Sequence, residues 1–256
     1  MPNKLEKVFL QKNNNLLNVY CTAGFPHKES TTEVLLALQN AGADMIEVGM
    51  PYSDPIADGE VIQKSNMQAL ENGMTMELLF KQLNSVKKQI NIPLILMGYL
   101  NPVLQFGIEK FCATAAKAGV AGIILPDLPM QEYEQFYKHY FTKNNLSFIF
   151  LVTPQTSTER IVQADKLSTG FLYAVSSSST TGSSNITEDK EAYFKKLHNL
   201  NLQNPLLIGF GINNSKTYQQ ACAYANGAII GSAYIKAIAK SKNINKATAS
   251  FIKSIR

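Results

Sequence analysis

The chain has 256 residues, of which 45% are apolar and 17% charged, a balance typical of a folded protein with a sizeable core rather than a disordered chain. The net charge is +5, yet Arg160 and Arg256 are the only arginines among 24 basic residues, which excludes an arginine-based nucleic-acid surface. No apolar run is long enough to cross a bilayer, and the start of the chain lacks the pattern of a secretory signal. We therefore expect a cytoplasmic protein that binds neither nucleic acid nor membrane.

Short apolar runs recur along the whole chain and predict eight strands. Most of their residues are aliphatic on both faces, which is typical of buried parallel strands. The amphipathic segments between them predict helices, among them Ile108–Lys117 and two helices whose first residues are capped by Thr158 and Ser215. The candidate strands are Leu17–Thr22, Met45–Val48, Leu94–Met97, Gly122–Leu125, Ser147–Val152, Gly170–Val175, Leu206–Gly209 and Ala228–Ile230.

This alternation predicts the fold class, an α/β protein with a single (β/α)8 TIM barrel. No linker of distinct composition divides the chain, so residues 1–256 are expected to form one domain, with extended loops after the second and sixth strands. A doubly wound open sheet is the alternative, but no GxGxxG motif follows the first strand. Barrel enzymes place their active sites at the carboxyl ends of the strands, which directs attention to the residues there.

The second predicted strand and its loop contain two carboxyl groups. Glu47 lies inside an apolar strand, where an ionised carboxylate is costly unless its pKa shifts or it finds a partner. Asp58 follows in a loop rich in turn-forming residues. The structural alternatives are an inward glutamate bonded to a neighbouring strand and an ordinary Asp-Gly turn. Together the two residues predict an acid/base pair in two different environments.

The loops after the last three predicted strands indicate a phosphate site. Glycines follow the seventh and eighth strands, in Gly209–Gly211 and at Gly231 beside Ser232, and the hydroxyl-rich loop 176–185 contains Gly182. Glycines let backbone amides approach an anion, and barrels often hold a phosphate between these loops. Ordinary flexible loops are the alternative. The loop after the sixth strand is also long enough to close over a substrate.

Other catalytic chemistries lack their sequence signals. The three cysteines and three histidines show no metal-ligand spacing, so we predict no metal, and no serine lies in a GxSxG motif. The predicted strands contain no lysine that could form a Schiff base. A carbon–carbon cleavage in this barrel would therefore need acid/base catalysis on a substrate with its own electron sink.

The segment Ile46–Gly59 resembles the signature of the tryptophan synthase alpha chain family, aliphatic-Glu-aliphatic-Gly-x-x-aromatic-Ser-Asp-Pro-x-Ala-Asp-Gly. The resemblance continues through Tyr99-x-Asn101-Pro102, Pro126–Pro129 and Gly209–Gly211, and it covers essentially the whole chain. It implies a lyase of tryptophan biosynthesis that uses no cofactor of its own. In this family, a retro-aldol step cleaves indole-3-glycerol phosphate to indole and glyceraldehyde 3-phosphate, and the indole ring protonated at C3 serves as the electron sink.

The resemblance also assigns roles to individual residues. Glu47 matches the glutamate that moves protons between the glycerol hydroxyl and indole C3, and Asp58 matches the aspartate that bonds the indole N–H. Two departures affect neighbouring loops: the loop after the sixth strand lacks an arginine and a glycine common in the family, and Phe25 replaces a frequent aspartate. The phosphate-binding positions are Gly182, Gly211, Gly231 and Ser232, and the indole-pocket and lid positions are Tyr20, Thr22, Met97, Ile124, Tyr173, Thr181, Phe210 and Ile229.

The family resemblance further implies a partner. Its members work in an α2β2 heterotetramer, in which indole passes to a beta chain that carries pyridoxal phosphate. The apolar residues that suit such an interface, with burial in the core as the alternative, are Pro55, Ile56, Pro102, Val103, Leu104 and Phe106. Two alternatives remain open: a catalytically weak subunit whose main role is to activate the beta chain, and another phosphate-binding barrel enzyme such as a sugar-phosphate isomerase.

Overall fold

The structure, a computed structural model, describes residues 2–175, 188–209 and 211–256. Nine strands form one sheet in which every neighbouring pair is parallel, in the order β5-β4-β3-β2-β1-β9-β8-β7-β6. The strands are β1 (Leu16–Thr22), β2 (Met45–Gly49), β3 (Leu94–Met97), β4 (Val120–Ile124), β5 (Ser147–Phe148), β6 (Leu151–Val152), β7 (Leu172–Val175), β8 (Leu206–Gly209) and β9 (Gly227–Ile230).

Helices connect most of the strands. Two helices follow β2, two follow β3 and two follow β9, and a π-helical turn, Tyr133–Tyr137, lies inside the helical segment after β4. The α-helices are α1 (Lys4–Gln11), α2 (Ser30–Ala41), α3 (Glu60–Glu71), α4 (Met76–Val86), α5 (Leu100–Phe106), α6 (Ile108–Lys117), α7 (Met130–Glu132), α8 (Lys138–Lys143), α9 (Thr158–Leu167), α10 (Glu188–Asn199), α11 (Ser215–Cys222), α12 (Ser232–Ile238) and α13 (Ile244–Ile255).

The two ends of the sheet are consecutive in the chain, and this closes the barrel. The amide of Ile149 donates to the carbonyl of Ile123 beside β4, at 3.0 Å. The amide of Tyr173 in β7 donates to the carbonyl of Phe150, also at 3.0 Å. The predicted strand Ser147–Val152 therefore bridges both edges, although its regular pairing is interrupted in the middle. The predicted (β/α)8 barrel is confirmed, with its fifth strand divided into β5 and β6.

Two predicted helix caps are wrong by one residue. Ser157, not Thr158, accepts a hydrogen bond from the amide of Arg160, and Asn214, not Ser215, accepts one from the amide of Thr217 at 2.9 Å. In both cases the capping residue has an extended backbone, which lets its side-chain oxygen accept a hydrogen bond from the amide of the third helical residue. The predicted helix Ile108–Lys117 is confirmed at both ends.

Helix α1 covers the amino-terminal end of the barrel. The side-chain amide of Asn3 donates to the hydroxyl of Ser147, at the start of β5, and to the carbonyl of Ala121 in β4. Leu5 is fully buried and packs against Gly122 and Gly170. The functional candidates lie toward the opposite end. Among the described residues, no helix has the length and apolar character needed to traverse a lipid bilayer.

Candidate active site

Glu47 of β2 is 1% exposed and pairs with Tyr20 of β1 and with Ile95 of β3. The side-chain amide of Asn18 donates to its Oε2 atom at 3.1 Å. Burial raises the pKa of Glu47 to about 8 and the nearby charge of Asp58 adds to the rise, while the hydrogen bond from Asn18 opposes it. At neutral pH the Glu47 carboxyl group therefore holds a proton for most of the time.

Asp58 lies in the segment between β2 and α3 and is 4% exposed. The side-chain amide of Asn66 in α3 donates to Asp58 Oδ2 at 3.2 Å, and the Tyr99 hydroxyl also bonds the carboxylate. Burial raises the pKa of Asp58 to about 6, and these two hydrogen bonds limit the rise because they stabilise the charged form. Asp58 is therefore mostly ionised at neutral pH.

Several contacts hold the backbone around Asp58 in place. The amide of Ala57 donates to the Tyr99 hydroxyl at 3.0 Å, and the side chain of Gln63 donates to the carbonyl of Asp58 at 2.8 Å. The ring of Tyr52 packs against that of Tyr99 at a tilt of 34°, with the ring centroids 5.4 Å apart. The aspartate is thus fixed by α3 and by the residues that follow β3, rather than by an isolated turn.

Two tyrosines lie over glycines near this carboxyl pair. Any side chain at Gly49 would overlap the hydroxyl of Tyr20, and any side chain at Gly209 would overlap that of Tyr173. Both tyrosines are 4% exposed, and their pKa values are raised well above the ordinary range by burial and by the charges of Glu47 and Asp58. They remain neutral hydrogen-bonding groups at working pH. The glycines provide the space that these phenols occupy.

The other predicted pocket residues in the described part of the chain also belong to the barrel wall. Thr22 and Met97 both pair with Gly49, and Met97 pairs with Ile124. Because paired residues of parallel strands face the same side, these side chains share one row near the carboxyl end of the sheet. Ile229 pairs with Gly209 one strand away. The structure thus places Tyr20, Thr22, Met97, Ile124, Tyr173 and Ile229 along contiguous strands around Glu47.

The predicted phosphate positions follow β8 and β9. Gly211 is exposed and has a φ of +76°, a left-handed conformation that favours glycine. Gly231 directly precedes α12, whose first turn begins at Ser232 and has no side-chain cap. A Cβ atom at Gly231 would lie 3.4 Å from side-chain atoms of Tyr20 and Ile62, so this helix start adjoins the pocket. The predicted positions Thr181, Gly182 and Phe210 lie outside the described residues.

The prediction that Val103 belongs to the interface is wrong. Val103 is fully buried, because α5 packs that face on the barrel, and it belongs to the core. Phe106 is half-buried: its ring lies 5.5 Å from that of Phe80, with the Lys110 ammonium 4.4 Å above it. Ile56 and Leu104 are 79% and 44% exposed, so they stay candidates for the interface.

Sequence reasoning missed three residues that bond the carboxyl pair. Asn18 gave a usable signal, because it is an amide within the apolar strand β1, as Glu47 is a carboxyl group within β2. Asn66 and Tyr99 lie at positions that carry the family resemblance, but the sequence assigns no role to either, since only folding brings α3 and the residues after β3 to Asp58. Within the ranges that the structure describes, no three His, Cys, Asp or Glu side chains converge on a possible metal position.

Fold and site together define the class of protein: a (β/α)8 barrel with two buried carboxyl groups, Glu47 and Asp58, toward the carboxyl end of its strands. A sequence model described as the tryptophan synthase alpha chain matches residues 7–255. A tryptophan synthase alpha chain of Flavobacterium psychrophilum is 51% identical over 228 residues, 89% of this chain and 90% of that protein. One from Christiangramia forsetii is 49% identical over 248 residues, 96% of each chain.

Solved structures give the same result. The alpha subunit of tryptophan synthase from Legionella pneumophila superposes with a TM-score of 0.90 at 31% identity, covering 100% of this chain and 97% of that one. A chain of the tryptophan synthase complex from Pyrococcus furiosus gives a TM-score of 0.87 at 31% identity, covering 95% and 98%. The protein therefore belongs to the tryptophan synthase alpha chain family, a family of lyases in tryptophan biosynthesis.

Proposed function

We propose that this chain performs the reaction of its family, the retro-aldol cleavage of indole-3-glycerol phosphate to indole and glyceraldehyde 3-phosphate. The observation that carries the proposal is the pair Glu47 and Asp58. Both carboxyl groups are buried, yet their pKa values of about 8 and about 6 give them opposite protonation states at neutral pH. Such a separation is what a general acid and an electrostatic stabiliser require in one site.

The protonation states suggest an order of steps. The Glu47 carboxylic acid donates its proton to indole C3, and the positive charge that develops on the ring is stabilised by the Asp58 carboxylate at the ring N–H. The ionised Glu47 then removes the proton of the glycerol hydroxyl next to the ring. The carbon–carbon bond breaks as the aldehyde forms, and its electron pair returns to the indole ring. Glu47 ends the cycle protonated, and no external oxidant or cofactor is consumed.

Substrate binding is proposed at the two ends of the same pocket. The phosphate lies at Gly211, Gly231 and Ser232, with Gly182 contributed by the loop 176–185. The uncapped start of α12 supports this assignment, because its free amides favour an anion. The indole ring lies among Tyr20, Thr22, Met97, Ile124, Tyr173, Phe210 and Ile229, and Thr181 meets Asp58 on closure.

The partner and the cellular setting are proposed from the family. We infer that residues 1–256 act as one domain in the cytoplasm and pair with a beta chain in an α2β2 assembly. Pyridoxal phosphate is then needed only in that partner. The similarity to a chain of the Pyrococcus furiosus tryptophan synthase complex supports this inference, as do the exposed side chains of Ile56 and Leu104.

An indole-release assay tests the proposal. The purified chain is mixed with indole-3-glycerol phosphate, with and without a tryptophan synthase beta chain, and free indole is measured. We expect slow release by the chain alone and a strong increase when the beta chain is added. No release under either condition would overturn the proposed function, and turnover of sugar phosphates instead would favour a barrel isomerase. Equal rates with and without the partner would contradict activation by the beta chain.

A further inference from the structure

Asn18 is a fully buried amide in the wall of the barrel. Its Nδ2 atom donates to Glu47 Oε2 at 3.1 Å. Its Oδ1 atom is buried and has no hydrogen-bond partner among the described residues. One half of the amide therefore bonds the candidate acid/base residue, and the other half bonds nothing in the described part of the chain.

Packing does not explain an amide at this position. Its partners in the neighbouring strands are Met45 of β2 and Ile229 of β9, and both are buried apolar residues. A buried oxygen without a partner destabilises the fold, whereas a leucine of similar size would fill this space without that penalty. The contact with Glu47 is the one described interaction that an apolar residue could not supply.

We propose that Asn18 is a positioning residue that fixes which oxygen of Glu47 carries the proton. The proposal deepens the proposed function and depends on it. A carboxylate oxygen and the carbonyl oxygen of a carboxylic acid both accept hydrogen bonds, so Nδ2 can hold Oε2 as an acceptor in either protonation state. The travelling proton is then confined to Oε1. This keeps the carboxyl group in one orientation while it donates a proton and takes it back.

The groups around Glu47 make this contact measurable. The ionisable side chains whose charges interact with Glu47 are Asp58, Tyr20, Tyr173 and Cys21. Burial raises the pKa values of both tyrosines and of the cysteine, so these three stay neutral at working pH. Asp58 is the one member of this set that changes charge near neutrality, and it titrates below Glu47. A change on the alkaline side of the activity profile therefore reports on Glu47.

The test compares the wild-type chain with Asn18→Leu, which is close in size and lacks the donor. We expect kcat to fall at least about 10-fold with KM within about twofold, because orientation of the acid rather than substrate binding is lost. Loss of the donor that stabilises the Glu47 carboxylate should raise the pKa of Glu47. The alkaline limb of the pH–activity profile should therefore move up by about one pH unit. The melting temperature should stay equal or rise. Asn18→Val also lacks a donor and is no larger than asparagine, and it should show the same loss of kcat if the leucine variant fails to fold.

Gln82→Leu is the matched control. Gln82 is also a buried amide with an unpartnered oxygen, but its nitrogen donates to the carbonyl of Lys28 and to the carboxylate of Glu29, away from Glu47 and Asp58. This variant should lose stability and keep the kcat and the alkaline limb of the wild-type chain. An active wild-type chain whose kcat and alkaline limb are unchanged by Asn18→Leu would overturn the role of Asn18.

A spectroscopic measurement separates this inference from the proposed reaction. The infrared carboxyl band of Glu47 can be identified as the band lost in Glu47→Gln, and it is then compared between the wild-type chain and Asn18→Leu without substrate. We expect its frequency and its titration midpoint to rise in the leucine variant. An unchanged band would contradict the contact even if the chain releases indole. A shifted band in a chain that releases no indole would support the contact and reject the reaction.

Discussion

Asn66, in the first helix after β2, donates a hydrogen bond to the carboxylate of Asp58 at 3.2 Å and so ties the loop that follows β2 to the site. The bond stabilises the charged form of a carboxyl group whose pKa burial raises to about 6. Asp58→Asn should therefore remove a fixed negative charge without a large change in shape. We expect kcat to fall roughly 100-fold or more, because charge stabilisation in a buried site is commonly worth that factor.

The measurement for Asp58→Asn is steady-state indole release over a range of pH. Because the Asp58 charge raises the pKa of Glu47, its removal should also shift the alkaline limb to lower pH. Asn66→Leu is a second variant, in which Asp58 keeps its charge and kcat should fall less. Because the Asn66 hydrogen bond lowers the pKa of Asp58, its loss should move the acidic limb of the pH–activity profile to higher pH. Near-full activity of the asparagine variant would exclude Asp58 from the reaction.

The wild-type chain should show a bell-shaped dependence of kcat/KM on pH. Below about pH 6, Asp58 becomes neutral and no longer stabilises the cationic ring. Above about pH 8, Glu47 loses the proton that it must donate. The measurement is kcat/KM for indole release between pH 5 and pH 9. A rate that keeps rising through pH 9 would be incompatible with Glu47 as the acid of the first step.

Replacing Glu47 should make the protein more stable while it removes activity. The pKa of Glu47 is about 8 in the folded chain against an ordinary value of 4.5, so the folded state binds this proton more tightly than the unfolded state. Stability is therefore lost as the pH rises from about 4.5 to about 8. Glu47→Gln removes that loss and should gain on the order of 4 kcal/mol at pH 8.

The check on Glu47→Gln is chemical denaturation at pH 5 and at pH 8. The gain should be small at pH 5, because the carboxyl group is then protonated in the folded state and partly so in the unfolded state. Gln82→Leu, which removes no titrating group, should change stability equally at both pH values. A glutamine variant that is less stable than the wild-type chain at pH 8 would show that contacts of the Glu47 carboxyl group offset the stability lost through its burial.

The sequence predicts the barrel well because its signals are local. The apolar runs of β3 and β8 end where Leu94–Met97 and Leu206–Gly209 were expected to end. Contacts between distant segments are less predictable: the bond from Asn66 to Asp58 depends on how α3 packs, and the burial of Val103 depends on which face of α5 meets the barrel. The division of the fifth strand is likewise a matter of distant contacts, since its first half pairs with β4 and its second half with β7.

The close packing of Tyr20 on Gly49 is testable by a paired substitution. Gly49→Ala places a methyl group where the Tyr20 hydroxyl lies, and overpacking of this kind typically costs about 1–3 kcal/mol. Tyr20→Phe removes the hydroxyl, so the double variant should regain part of the stability lost by Gly49→Ala. Thermal denaturation of both single variants and the double variant gives the coupling energy. Additive effects would show that the ring moves freely away from Gly49.

Docking of the beta chain can be tested at Leu104. This side chain is 44% exposed on α5. The same helix contacts the loop after β2, because the side-chain amide of Asn101 donates to the Tyr52 hydroxyl at 3.3 Å. Leu104→Glu should leave the slow indole release of the isolated chain unchanged and should weaken its activation by the beta chain at least about 10-fold, because the glutamate charge would be buried in an apolar interface. Titration of the beta chain into the assay gives the apparent affinity.

Leu10→Glu is the control for this surface. Leu10 is 77% exposed, but it lies on α1, which covers the amino-terminal end of the barrel, opposite the candidate site. The variant should keep both the basal rate and the activation. If Leu104→Glu also keeps full activation, the beta chain docks elsewhere. If Leu10→Glu abolishes activation and Leu104→Glu does not, the partner binds at the amino-terminal end, and indole released at the carboxyl ends of the strands would have no short path to it.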